Sequence, residues 1–98
     1  MNFNKIRETI MKKYPVTVNI TLRENILDVQ GKAVQQALHS LDYDMMSEVR
    51  IGKLVTMFVE AQNDGQAEAF AEEACKKLLA NPVIEDYSIV VIDKGDDQ

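Results

Sequence analysis

Between Val16 and Leu22 every second residue is apolar: Val16, Val18, Ile20 and Leu22 alternate with Thr17, Asn19 and Thr21. A period of two, carried largely by β-branched side chains, describes a strand with one face buried and the other wet. Such a strand needs a second layer against its apolar face, and two stretches have the period to supply it. Asp28 is placed to cap a helix running to about Leu41, with Val34, Ala37, Leu38 and Leu41 on one face. Asn63-Asp64-Gly65 reads as a turn and N-cap for a second helix. Ala67, Phe70, Ala71, Ala74 and Leu78 share a face of it before Asn81-Pro82 ends it.

Alternation returns at Val49 and Ile51, and again at Val55, Met57 and Val59. Gly52-Lys53 lies between these runs, which predicts a β-hairpin turning there; one long strand bent at Gly52 has the same periodicity. Tyr87, Ile89 and Val91 mark a last strand, with Val90 and Ile92 making its second face apolar as well. The expected order is β-α-β-β-α-β. It implies an α+β two-layer sandwich with an antiparallel sheet and both helices on one face. Phe58, Val90 and Ile92 would leave an apolar patch on the other face, favouring a dimer through the sheet or its edges.

Three segments are expected along the chain: an extension over 1–15, a domain over 16–93 and a solvated tail over 94–98. In the extension Phe3, Ile6, Ile10 and Met11 follow a helical spacing, and Tyr14-Pro15 ends it because the residue before proline is driven from the α region. The net charge of −5 is unevenly spread. Lys5, Arg7, Lys12 and Lys13 against Glu8 give the first fifteen residues +3, which leaves −8 on the rest. An acidic body argues against a nucleic-acid partner, since phosphate neutralisation requires clustered Lys and Arg. The single Cys75 fits a reducing compartment. No apolar run has the length of a membrane span and no signal peptide is evident, so a cytoplasmic location is expected.

Catalytic groups are scarce. His39 is the only histidine and sits late on the first helix, where a cation suits the helix dipole. Cys75 falls among Ala71, Ala74 and Leu78 and reads as a small core residue. One histidine and one cysteine far apart in sequence do not make a zinc site. The acidic pairs Glu72-Glu73, Glu85-Asp86 and Asp96-Asp97 read as solvated faces. Arg50-Ile51-Gly52-Lys53 lacks the earlier glycine and the following Ser or Thr of a phosphate loop.

Three segments taken together resemble one family. They are Asp28-Val29-Gln30-Gly31 with Ala33-Val34 and Ala37-Leu38, then Glu48-Val49-Arg50-Ile51-Gly52-Lys53, then Leu78 to Tyr87 through Asn81-Pro82-Val83-Ile84-Glu85-Asp86. Their order and spacing from Val16 to about Asp93 resemble the PurS subunit of phosphoribosylformylglycinamidine synthase. Val29 stands where that family usually has proline, and residues 1–14 precede its usual start.

The resemblance implies a non-catalytic subunit, dimeric or tetrameric, that bridges a glutaminase subunit and a synthetase subunit. Together these turn formylglycinamide ribonucleotide, ATP and glutamine into formylglycinamidine ribonucleotide. No cofactor is expected on this chain, with ATP and Mg²⁺ held by the synthetase. Arg50, Gly52 and Lys53, and Asn81, Glu85, Asp86 and Tyr87, are the expected partner-interface residues. A solvated hairpin tip explains Arg50 and Lys53 as simply, and a turn is the default reading of Asn81, Glu85, Asp86 and Tyr87, where Tyr87 could anchor an interface. The rival readings are a free-standing dimeric regulatory module that binds a small metabolite, and a small enzyme.

Overall fold

A computed structural model describes residues 11–92. Its centre is β1 (Lys12–Leu22), the middle strand of a three-stranded antiparallel sheet ordered β2-β1-β3. The chain continues through α1 (Val29–Ser40), β2 (Gly52–Ala61), α2 (Asp64–Ala74) with a π-helical turn over Cys75–Leu79, and β3 (Glu85–Val91). The alternation read from the sequence fixes which face of β1 is inward. Val16, Val18 and Ile20 are at most 1% exposed, joined by Tyr14 and, from neighbouring elements, Ala61, Ala67, Ala71, Cys75 and Ala80. Each of the three β-branched side chains contributes about 1.5–3 kcal/mol relative to exposure. Val55, Met57 and Val59 on β2, and Tyr87, Ile89 and Val91 on β3, extend this inner face and are half-buried.

The α+β class and antiparallel sheet agree with the sequence, but three details differ. Gly52–Ala61 is one strand, so there is no hairpin at Gly52-Lys53 and the order among the described residues is β-α-β-α-β. Val49 and Ile51 lie outside the sheet because their N–H groups go elsewhere, to Gln35 Oε1 at 3.1 Å and Asp28 Oδ2 at 2.7 Å. Second, β1 begins at Lys12, so the end of the expected helical extension is strand; the rest of that helix, and the 94–98 tail, lie outside the described residues. Pro15 is tolerated in the middle strand because the pairing with β3 stops at Val16↔Val91. Its carbonyl still accepts the N–H of Ile92 at 2.9 Å, and the proline has no N–H to offer in return.

The third difference is the placement of α1. Only α2 packs across the sheet, against all three strands; α1 takes no substantial part in the packing between elements. It stands on an arm made of residues 23–51, which leaves β1 and returns to β2 at the same end of the sheet, where Thr21 faces Gly52. Helix α1 is well made locally. Asp28 caps its start, and Asp42 at φ 73° with Tyr43 closes its end by donating to His39 and Leu38 carbonyls at 3.0 Å each. Its apolar face is nevertheless left open, with Leu41 66% exposed.

Candidate functional site

Six of the seven expected interface residues gather at the end of the sheet where β1 stops and β2 and β3 start, with Arg50 joining them from the base of the arm. The register puts Gly52 opposite Thr21, Lys53 opposite Ile20, and Glu85, Asp86 and Tyr87 opposite Leu22, Thr21 and Ile20. Lys53 and Glu85 therefore flank β1 from its two sides, with Nζ and Oε2 3.5 Å apart. The second oxygen of Glu85 accepts the Asn81 N–H at 2.7 Å, while the Asn81 side chain accepts the N–H of Val83 at 3.0 Å. Asn81 and Glu85 thus close the loop into β3 on itself, as short polar side chains do in turns.

Gly52 is required by close approach. A β-carbon there would lie 2.7 Å from the carbonyl oxygen of Ile20, which would push β2 away from β1. Arg50 turns back onto the arm. Its guanidinium donates to the carbonyls of Ile26 at 3.2 Å, Leu22 at 3.3 Å and Arg23 at 3.0 Å, which uses the planar fork to tie three backbone groups. Asp28 does the matching work on donors. One oxygen accepts the Gly31 N–H at 2.8 Å and the other the Ile51 N–H at 2.7 Å. These bonds hold its carboxyl below the usual carboxylate range, Gly31 first and Ile51 next, against the opposing effect of burial.

The sequence reading missed Arg23 and Glu72. Arg23 is the first residue after β1 and reaches the loop before β3: its N–H donates to the Ile84 carbonyl at 2.9 Å and its guanidinium to the Pro82 carbonyl. Its Nε also lies 3.6 Å from Asp86. These partners are about sixty residues away in the chain, and no local pattern announces them. Glu72 belongs to an acidic pair whose sequence reads as a solvated face, yet it accepts a hydrogen bond from the hydroxyl of Tyr87. That bond, then burial, pushes the Tyr87 hydroxyl up to about 12.

The arrangement has the chemistry of a joint. Cys75 is buried, and burial, with the nearby Glu72 charge, raises its thiol away from the reactive thiolate. Tyr87 is held protonated. The Nε2 of His39 is bound to the Met46 carbonyl at 2.7 Å, within the arm. No nucleophile and base face one another in these contacts. Among the described residues no group of three His, Cys, Asp or Glu could hold a metal ion. No helix there is long and apolar enough to cross a membrane.

Residues 15–93 match the PurS family model, described as phosphoribosylformylglycinamidine (FGAM) synthase. The phosphoribosylformylglycinamidine synthase subunit PurS of Bacillus subtilis is 49% identical over 74 residues, covering 76% of this chain and 87% of the relative. The crystal structure of Methanocaldococcus jannaschii PurS is that of one of the subunits of formylglycinamide ribonucleotide amidotransferase in the purine biosynthetic pathway. It superimposes with a TM-score of 0.74 at 39% identity, over 81% of this chain and 95% of that one. A chain in the structure of PurLQS from Thermotoga maritima has a TM-score of 0.78 at 27% identity, over 83% of this chain and 99% of that one. The expectation drawn from the three sequence segments is met, and this chain belongs to the PurS family of phosphoribosylformylglycinamidine synthase subunits.

Proposed function

We propose that the chain is the non-catalytic bridging subunit of a cytoplasmic phosphoribosylformylglycinamidine synthase. The observation that carries this is the likeness, over 83% of this chain and 99% of the other, to a protein solved within PurLQS. In this reading the chain works as a dimer or larger assembly between a glutaminase subunit and a synthetase subunit. ATP and Mg²⁺ belong to the synthetase, and no cofactor belongs to this chain. The reaction needs such a bridge. Ammonia released by glutamine hydrolysis is protonated and diluted if it escapes to water, so holding the two sites together keeps it neutral and concentrated.

The surface offered to partners includes the end of the sheet around Lys53, Asp86 and Arg23, whose charged groups are largely exposed. Gly52, Asn81, Glu85 and Tyr87 shape the backbone that presents them, and Arg50 sets the arm beside them. Lys53→Glu with Asp86→Lys tests this surface without touching the core. Sedimentation with the synthetase and glutaminase subunits, ADP and glutamine should show a ternary complex with the native chain and a weaker one with the double variant. Unchanged assembly would move the interface elsewhere on the chain.

A further inference from the structure

The arm made of residues 23–51 joins the sheet at a single place. β1 ends there at Leu22 and β2 begins at Gly52, with Thr21 facing Gly52, while α1 takes no substantial part in the packing between elements. Two lengths of backbone that enter an arm at one point form a hinge unless something ties them across. Here the returning residues Val49, Arg50 and Ile51 are each bonded to the outgoing half of the arm. The Arg50 guanidinium donates to the carbonyls of Leu22, Arg23 and Ile26, from the last residue of β1 outward. The Ile51 N–H donates to Asp28, and the Val49 N–H to Gln35 on α1.

These bonds exceed what α1 needs for itself. Its N-cap is complete with the bond from the Gly31 N–H to Asp28. The other five run across the base of the arm and add nothing to the helix. The planar fork of Arg50 holds three acceptors at once, which fixes direction as well as distance. Asp28 is buried between the two halves, and Gly31 lies so close to Val49 that a β-carbon would stand 2.4 Å from its carbonyl oxygen. Contact this close, cross-tied on both sides, leaves the arm little freedom to swing.

We infer that Asp28, Gly31 and Arg50 are positioning residues: their clasp holds the arm at one angle to the sheet, and that angle sets how the glutaminase and synthetase subunits stand to one another. The inference rests on the bridging role proposed above. A bridge transmits position only as well as its own joints do, and a misplacement of about 1 Å can cost about 100-fold in a step that depends on alignment. A slack clasp therefore lets ammonia escape between the two sites while glutamine is still hydrolysed.

Gly31→Ala separates this role from the stability of α1. Alanine is the better helix former, yet its β-carbon would force the clasp apart. Asp28→Asn is the second variant, since its side chain keeps an oxygen for Gly31 but turns an amide toward the Ile51 N–H. Spin labels on Asp44→Cys in the arm and Glu68→Cys on α2, with labelled chain diluted in unlabelled copies, report the angle by double electron–electron resonance; Cys75 is buried away from the label. The otherwise native chain should give one narrow distance distribution, the same when free and when assembled with both partner subunits, and the two variants a broadened or shifted one. In the assembled enzyme each variant should release about twofold or more extra glutamate per formylglycinamidine ribonucleotide formed. A broad distribution in the native chain, or unchanged distances in Gly31→Ala, overturns the clasp. Altered distances with the native ratio of glutamate to product overturn its role in alignment, as does loss of the ternary complex in both variants, which would make these residues contacts. A native chain that supports no glutamine-dependent synthesis would instead refute the bridging role itself, and the inference with it.

Discussion

The carboxylate of Asp28 receives the backbone N–H of Ile51 at 2.7 Å across twenty-three residues of chain, while also capping α1 through Gly31. One side chain thus starts the helix and fastens the arm to the strand that follows it. Asp28→Ala should lower Tm by about 5 °C or more, since a lost N-cap costs about 1 kcal/mol and the part-buried Ile51 N–H loses its acceptor with it. The folded pKa of Asp28 lies below its unfolded value, so its contribution is present above the ordinary carboxylate pKa and is lost as pH falls through the folded one. Thermal melts of the two proteins should therefore converge only in strong acid. Equal Tm values at pH 7 would contradict the role assigned to this residue.

Arg50 supplies the other half of the fastening. A lysine keeps the charge but cannot span three carbonyls with one ammonium group. Arg50→Lys should behave nearly as Arg50→Ala, with faster amide exchange at the base of the arm, at Gly31 and Ile51, and unchanged protection in β1. Full protection in the lysine variant would show that charge alone is sufficient.

Tyr87 reports on the other end of the same joint. Its folded pKa is raised to about 12 by the bond to Glu72. The contribution is fully present below the ordinary tyrosine pKa and disappears as pH climbs through the raised value. Absorbance titration at 295 nm should resolve a tyrosine that ionises well above an ordinary exposed one, and Glu72→Gln should bring it down. A Tyr87 that titrates normally would remove the bond from the account.

Asp42 ends α1 with a left-handed backbone at φ 73°, a conformation that glycine adopts without steric cost. Asp42→Gly should raise stability by about 0.5–1 kcal/mol, measured by urea unfolding, with self-association unaffected. A destabilised variant would mean that the aspartate side chain, and not only its backbone, is used.

Much of this was legible from local pattern. Alternation found β1 and its inward face, and the caps Asp28 and Asn63 marked both helix starts, Asn63 accepting the Gln66 N–H at 2.8 Å. What failed was non-local. The alternation of Val49 and Ile51 imitates a strand, but a carboxylate and an amide from the arm claim their N–H groups. Tyr14 carries the period of two backward from Val16, yet Pro15 argued for a break; only the sheet register shows that the missing N–H falls where pairing ends. Nor does an amphipathic pattern say whose apolar surface it meets. Helix α1 has the stripe expected of a packed helix, and its own sheet does not cover it. Arg23 and Glu72 could not be singled out because their partners lie across the fold.

In the function proposed above, the chain enables the transfer of ammonia between two other subunits and performs no chemistry itself. It is tested most directly by assaying the synthetase and glutaminase subunits with formylglycinamide ribonucleotide and ATP, with and without the chain, using glutamine or ammonium chloride as nitrogen donor. Glutamine-dependent product formation should require the chain, ammonia-dependent formation by the synthetase should not, and the chain alone should turn over nothing. Equal glutamine-dependent rates with and without the chain would contradict it.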